Sequence, residues 1–193
     1  NRNAGTGAKL TIKGVDGTGI SSASTYQGTF IITPKNIGDE TLVLTSPPDA
    51  ITYNSQVQTP AIKPVTYYTE TLVADTDFTY DYDKNKDASA TAPIVTLYGK
   101  GNYSGSRTLH FVIQPFELTA DHLTAPADQV YNGTSQQPKP TVAYVNGAGA
   151  AETLTEGTDY TLEYPSNTTD ANTACQVTVK GTGNFTGAPQ TSY

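Results

Sequence analysis

One glycine-rich element of this chain returns at a fixed distance. Gly99-Lys100-Gly101-Asn102-Tyr103-Ser104-Gly105 recurs as Gly181-Thr182-Gly183-Asn184-Phe185-Thr186-Gly187, an offset of 82 residues. The same offset carries Thr71-Leu72 onto Thr153-Leu154 and Asp77-Phe78 onto Asp159-Tyr160. Within one residue it also carries Asp87-Ala88 onto Asp170-Ala171. Upstream, Tyr53-Asn54-Ser55-Gln56 followed by Pro60 matches Tyr131-Asn132-Gly133-Thr134 followed by Pro138 at an offset of 78, so a short loop insertion lies between the two halves of the unit. A period of about 80 residues is too long for the stacked units of a solenoid, which run to roughly 20–45 residues. Separate beads, each burying its own core, fit better.

A partial copy opens the chain. Asn3-Ala4 through Lys13-Gly14 aligns with Asp170-Ala171 through Lys180-Gly181, and Tyr26 to Pro34 aligns with Tyr103 to Pro115. The chain therefore divides into 1–34, the C-terminal strands of a preceding repeat or part of the first bead; 35–115, a full repeat; and 116–193, a repeat whose last strand is cut short. Asn1 follows no basic and apolar leader, and with the partial copy this points to a piece excised from a longer array. Two strands alone are marginal in water. Residues 1–34 are therefore expected to complete a sheet built from residues 35 to about 90, or else to pair with another molecule, with the open edge at Gln190–Tyr193 a natural acceptor.

Within each copy the apolar residues alternate, the period of a half-buried strand. Phe78, Tyr80 and Tyr82 share one face, as do Tyr160, Leu162 and Tyr164. The following strand carries Leu10 and Ile12 in the first copy, Val95 and Leu97 in the second, and Val177 and Val179 in the third; the last strand carries Leu109, Phe111 and Ile113. Phe78, Tyr80, Val95, Leu97, Leu109, Phe111, Tyr160, Leu162, Val177 and Val179 are expected to be mostly buried, and Leu10 and Ile12 to take the core face of their strand, with Thr79, Asp81, Thr96, Thr161 and Thr178 exposed or at a sheet edge. With 33 Thr, 13 Tyr, 17 Gly and 12 Pro against no Met and no Trp, the composition is that of strands and turns. Helical periodicity is confined to a short turn near Asp121–Leu123. The fold class expected is all-β, an antiparallel sandwich repeated in tandem.

Charge and cysteine content narrow the function classes. Eleven basic against eighteen acidic residues leave a net charge of −7, with no Lys/Arg cluster to grip phosphates, which argues against nucleic acid and anionic membrane surfaces as partners. No apolar run approaches the roughly 18 residues of a membrane span, so membrane insertion is not expected. The single Cys175 aligns with Ala8 and Pro93 and shares a face with Val177 and Val179, which makes it a small core residue rather than a thiolate nucleophile.

Taken as a set, Tyr131-Asn132-Gly133 through Pro138, Gly157-Thr158-Asp159-Tyr160 and Gly181 through Gly187 resemble the Ig-like, mostly-β repeats found in tandem in large bacterial surface and secreted proteins. The likeness covers nearly the whole chain. The middle copy departs from it, with Ser55 in place of the turn glycine and Ala74-Asp75-Thr76-Asp77 in place of Glu156-Gly157-Thr158-Asp159. The resemblance implies tandem Ig-like antiparallel β-sandwich modules with an extracellular, non-enzymatic role as spacers, stalks or adhesive surfaces, flanked by neighbouring repeats of the same kind.

Candidate chemistry is sparse. Asp81, Asp83, Asn85 and Asp87 have the 1-3-5-7 ligand spacing of a calcium loop, but Lys86 and Ala92 stand where such a loop needs Gly and a bidentate Glu. They read as an acidic inter-strand turn, with calcium the metal alternative and no other cofactor expected. His110 and His122 lack a nucleophile and an orienting carboxylate, and no enzyme is expected. A Lys–Asn isopeptide crosslink would need Lys9 or Lys13 buried, whereas Leu10 and Ile12 take the core face. Asn102, Asn132, Asn167 and Asn184 head Asn-x-Ser/Thr sequons and read as turn residues. Tyr67-Tyr68 is the candidate ligand-binding pair, since neighbours on a strand point to opposite faces and one of the two should be exposed. The function expected is a structural or adhesive module of a bacterial cell-surface or secreted multidomain protein, located extracellularly and contacting a protein or glycan. The alternative is a carbohydrate-binding accessory module of a secreted polysaccharide-degrading system.

Overall fold

A computed structural model describes residues 3–17, 19, 21–41, 43–166, 168–169 and 175–193 of the 193-residue chain. The protein is all-β, with a single 3₁₀ turn at Ala120–His122 among the described residues, where the sequence places its only helical turn. Two compact units are present: Asn1–Pro47 with Ile62–Tyr82 and Val95–Leu109, and Pro48–Ala61 with Asp83–Ile94 and His110–Tyr193.

In the first unit, Gly5–Lys13 and Thr25–Ile32 form an antiparallel hairpin, and Lys35–Asn36 runs parallel to Tyr103–Ser104. Val43–Leu44 pairs with Thr66–Tyr67, which pairs with Glu70–Thr71. A third sheet has the order Ser106–His110, Ile94–Gly99, Phe78–Asp83. Ile37, Val43, Val65, Leu72, Phe78, Val95, Leu97 and Leu109 form one buried cluster. Val95 and Leu97 are fully buried while Thr96 between them is not, as alternation requires on a strand covered on one face.

The second unit pairs Ile51–Thr52 with Ile113–Gln114 and Phe116–Glu117 with Phe185–Thr186, both parallel. Two three-stranded antiparallel sheets follow: Leu123–Thr124, Thr141–Val145 and Ala151–Thr153; and Tyr160–Glu163, Gln176–Gly181 and Gln190–Ser192. Val142, Tyr144, Leu154, Tyr160, Cys175, Val177, Val179 and Phe185 are buried.

Strand parity is as the sequence indicates, but four side chains depart from the expected burial and one stretch from its expected pairing. Tyr80 is 41% exposed although it shares a face with Phe78. Its strand lies at the edge of its sheet, and the ring leans on Phe78 and Tyr82, at centroid distances of 6.3 and 5.9 Å. A phenol in that place keeps its body on apolar neighbours and its hydroxyl in water. Leu162, also on an edge strand, is half-buried. The largest correction concerns residues 1–34. Their strands pair with each other and add to no sheet of residues 35–90 among the described residues, and Leu10 and Ile12 are 51% and 54% exposed rather than in the core. On the first strand only Ala8 is buried. Val95 and Leu97 sit in a cluster with Ile37, Val43, Val65 and Phe78, and no comparable set covers Leu10 and Ile12 among the described residues.

Candidate inter-repeat interface

The glycine-rich element makes the same connection twice. In both copies the first glycine N–H donates to the carbonyl of the last, Gly99 to Gly105 and Gly181 to Gly187, each at 2.9 Å. The second residue reaches back to the aspartate before the Phe78 or Tyr160 strand: Lys100 N–H to Asp77 O at 2.8 Å, Thr182 N–H to Asp159 O at 2.9 Å. The middle and last glycines hold positive φ, 66° and 73° in one copy, 62° and 91° in the other, a region open mainly to glycine. The element then hydrogen-bonds to the segment that opens its own sequence copy. Lys35 and Ile37 donate to Asn102 O and Ser104 O at 2.9 and 2.8 Å, while Phe116 and Leu118 donate to Asn184 O and Thr186 O at the same distances.

The asparagine side chain of the element does more than shape a turn, and this corrects the sequence reading. Asn102 Oδ1 accepts the Ala4 N–H at 2.7 Å and its Nδ2 donates to Asn3 Oδ1 at 3.3 Å. Asn184 Oδ1 accepts the Ala88 N–H at 2.7 Å and its Nδ2 donates to Asp87 Oδ1 at 3.1 Å. Asn3-Ala4 and Asp87-Ala88 occupy the same place in the sequence repeat. Each asparagine therefore clamps the backbone of the copy before its own. Their counterparts in the third copy, Asp170-Ala171, lie outside the described residues, as does Asn167.

In the second unit an aromatic cluster fills the space beside this clamp. Phe185 meets Tyr53, Tyr144 and Phe116 edge-on, at centroid distances of 5.4, 5.1 and 6.3 Å, and Phe116 meets Tyr144 at 5.0 Å. Tyr53 comes from the Tyr53-Asn54-Ser55 turn, which Ser55 enters at φ 64° and which Asn54 Oδ1 closes by accepting the Gln56 N–H at 2.9 Å. Ser55 Oγ donates to Glu152 Oε2 at 2.8 Å and contacts the Tyr144 hydroxyl, and Gly147 N–H donates to Asn54 O at 2.8 Å. Burial pushes the Tyr144 hydroxyl up to about 12; the Ser55 bond opposes this and the Glu152 charge adds to it.

In the first unit the same position is a cleft of about 410 Å³, lined by Asn3, Ala4, Lys35, Tyr67, Glu70 and Tyr103 among others. Tyr67 stands where Tyr144 does, as the residue two after the core valine (Val65 or Val142) and opposite a glutamate (Glu70 or Glu152) in its hairpin. Tyr103 stands where Phe185 does, 6.1 Å from Tyr67 and edge-on to it. Burial raises the Tyr103 hydroxyl above its ordinary value, helped by the charges of Asp77 and Glu70. Lys35 binds Asp39, whose carboxyl that bond and a second one from Thr41 hold at about 2.

Of the candidate pair, Tyr67 is half-buried against the core and Tyr68 is 70% exposed. They do not face opposite ways. Tyr68 lies beyond the strand at φ 52°, and the turn brings its ring to 4.7 Å from that of Tyr67. The calcium-spaced residues do not converge on a common point. Asp81 is exposed in the Phe78–Asp83 strand, Asp83 Oδ1 accepts the Lys84 N–H, buried Asn85 donates to Gln58 O at 2.8 Å, and Asp87 is held by Asn184. Among the described residues no group of three or more His, Cys, Asp or Glu is placed to hold a metal. His110 donates to Thr91 O, and His122 Nδ1 accepts the Thr119 N–H beside Phe116. Sequence reasoning passed over Ser55, Phe116, Glu152 and the clamping side chains of Asn102 and Asn184. The doubled Tyr-Asn-Ser/Gly and Gly-x-Gly-Asn elements were the available signal.

No protein-family model, curated protein or solved structure matches the chain.

Proposed function

We propose that the chain is a run of Ig-like β-sandwich modules from a tandem array, extracellular or at a bacterial cell surface, acting as a spacer or as a contact surface for a protein or glycan partner. The observation that carries this reading is the doubled clamp: Asn102 on Asn3-Ala4 and Asn184 on Asp87-Ala88, the same side-chain bonds between successive copies at two places in one chain. Contacts of this kind suit a part whose work is to hold a line of beads. The polar side chains that stand out in the sequence are spent on the chain's own backbone rather than aimed at a common point. Pulling the chain by its ends in single-molecule force measurements tests the reading. Unfolding in discrete steps of tens of residues is expected, each residue released adding roughly 3.5 Å of contour. A featureless extension would sink it, as would turnover of a polysaccharide.

The exposed Tyr68 ring, set edge-on against Tyr67, favours carbohydrate binding as the second reading. Retention on polysaccharide that disappears with Tyr68→Ala would establish it.

A further inference from the structure

The cleft of the first unit has the walls of a socket that the second unit shows occupied. There, the Tyr53-Asn54-Ser55 turn brings Tyr53 onto Phe185 and the Ser55 hydroxyl onto Glu152 and Tyr144. Tyr103, Glu70 and Tyr67 line the cleft in the corresponding places, beside an asparagine clamp of the same geometry. The chain also carries a second turn of the occupying type. At Tyr131-Asn132-Gly133-Thr134, Asn132 Oδ1 accepts the Thr134 N–H at 2.9 Å and Gly133 has φ 77°, the features of Asn54 and Ser55. Tyr131 is 63% exposed, whereas Tyr53 is 7% exposed.

We propose that the cleft beside Tyr67, Glu70 and Tyr103 is the receptor for the Tyr-Asn-Ser/Gly turn of a preceding repeat of this kind, and that Tyr131-Asn132-Gly133 is the turn this chain offers to a following one. The proposal rests on the reading of the chain as part of an array, and names what couples one bead to the next. Specificity comes from three features: an aromatic ring that seats edge-on against Tyr103, a left-handed residue after the asparagine, and, where that residue is serine, a hydroxyl for Glu70 and Tyr67. The occupant makes fewer contacts here than in the second unit. Gly147, which holds Asn54, belongs to a loop that the tight Tyr68-Thr69 turn replaces, and Lys35 stands in place of Phe116.

Placing a second copy of residues 35–86 ahead of Asn3 supplies the turn in its natural connection. Tyrosine nitration mapped by mass spectrometry then reads the cleft. Tyr67 is expected to lose its reactivity and react as slowly as Tyr144, with the remote Tyr26 unchanged, and Ala in place of the added tyrosine is expected to restore the reactivity of Tyr67. Tyr67 reacting as in the parent chain overturns the proposal, whether the added segment is protease-resistant or not, because an accepted turn is ordered by its socket. Discrete force steps in the parent chain are independent of this result, so the proposal can fail while the array reading stands.

Discussion

In the second unit Phe185 packs among Tyr53, Tyr144 and Phe116, whereas in the first its counterpart Tyr103 is half-buried beside a cleft. The backbone around the two is the same, down to the Gly–Gly and aspartate bonds of the glycine-rich element. The comparison separates two things that a single unit would confound. Glycine and asparagine fix the frame, because positive φ and a side-chain amide are conformational requirements that stay local. The filling of the frame depends on a segment contributed from elsewhere in the chain.

The largest expected difference between the units follows from this. Phe185→Ala removes a buried ring with three aromatic neighbours and should cost about 3–5 kcal/mol. Tyr103→Ala removes a half-buried ring and should cost about half as much. Denaturant unfolding of the two variants measures both. Equal losses would mean that the cluster around Phe185 adds nothing beyond the frame.

Alkaline pH sharpens the contrast without a substitution. The Tyr144 hydroxyl ionises at about 12 in the folded protein and near 10 when unfolded, so the folded state holds its proton more tightly. That contribution is intact below pH 10, declines as pH rises, and is gone above about 12; two pKa units correspond to roughly 2–3 kcal/mol. Tyr144→Phe should flatten the fall in Tm between pH 10 and 12. Tyr103→Phe should do so less, since Tyr103 is the less buried. A parallel fall in wild type and Tyr144→Phe would contradict the assignment.

Gly187 and Gly105 are equivalent in φ but not in surroundings. A Cβ on Gly187 would lie 2.5 Å from the Leu118 carbonyl oxygen, which is backbone held in the parallel pair. On Gly105 it would lie 2.2 Å from Asn36 Oδ1, a side-chain atom that moves aside only by releasing the Gly38 N–H it accepts at 2.9 Å. Gly187→Ala is therefore expected to cost roughly 2–3 kcal/mol and Gly105→Ala about 2, the strain of a left-handed alanine plus one released side-chain hydrogen bond. Unfolding midpoints read the order, and its reversal would show that the Asn36 side chain is as fixed as a peptide group.

What could be read from the sequence was whatever a local rule decides. Alternation identified Val95, Leu97, Val177 and Val179 as buried and their threonine neighbours as less so. The repeated Gly-x-Gly-Asn-aromatic element proved a repeated connection, with the aromatic turned onto apolar neighbours in both copies. Parity says which residues share a face, not whether anything covers that face, and Tyr80 and Leu162 on edge strands slipped through for that reason. The candidate site was legible only in part. Tyr67-Tyr68 pointed to the right hairpin, but assuming a continuous strand hid the left-handed Tyr68 that sets the rings side by side. The bonds from Ser55 to Glu152 and from Asn184 to Ala88 span 97 and 96 residues, and nothing local to either partner announces them.

The smallest expected effect tests the hairpin of residues 5–32. Leu10 and Ile12 occupy the places of Val95 and Leu97 in the sequence repeat, yet each is more than half exposed. Burial rather than identity sets the cost of a polar replacement. Leu10→Thr and Ile12→Thr should each shift stability by no more than about 0.5 kcal/mol, and threonine retains the strand preference that the hairpin needs. Leu97→Thr, fully buried at the equivalent place, should cost several times more, since it loses apolar contact and buries a hydroxyl among Val95, Leu109 and Phe78. Urea unfolding of the three variants decides it. A loss at Leu10 or Ile12 approaching that at Leu97 would mean that this face of the hairpin is covered in solution, which for a monomeric chain points to a docked position for the strands and for an associating one to a second molecule, two cases that the concentration dependence of the unfolding midpoint tells apart.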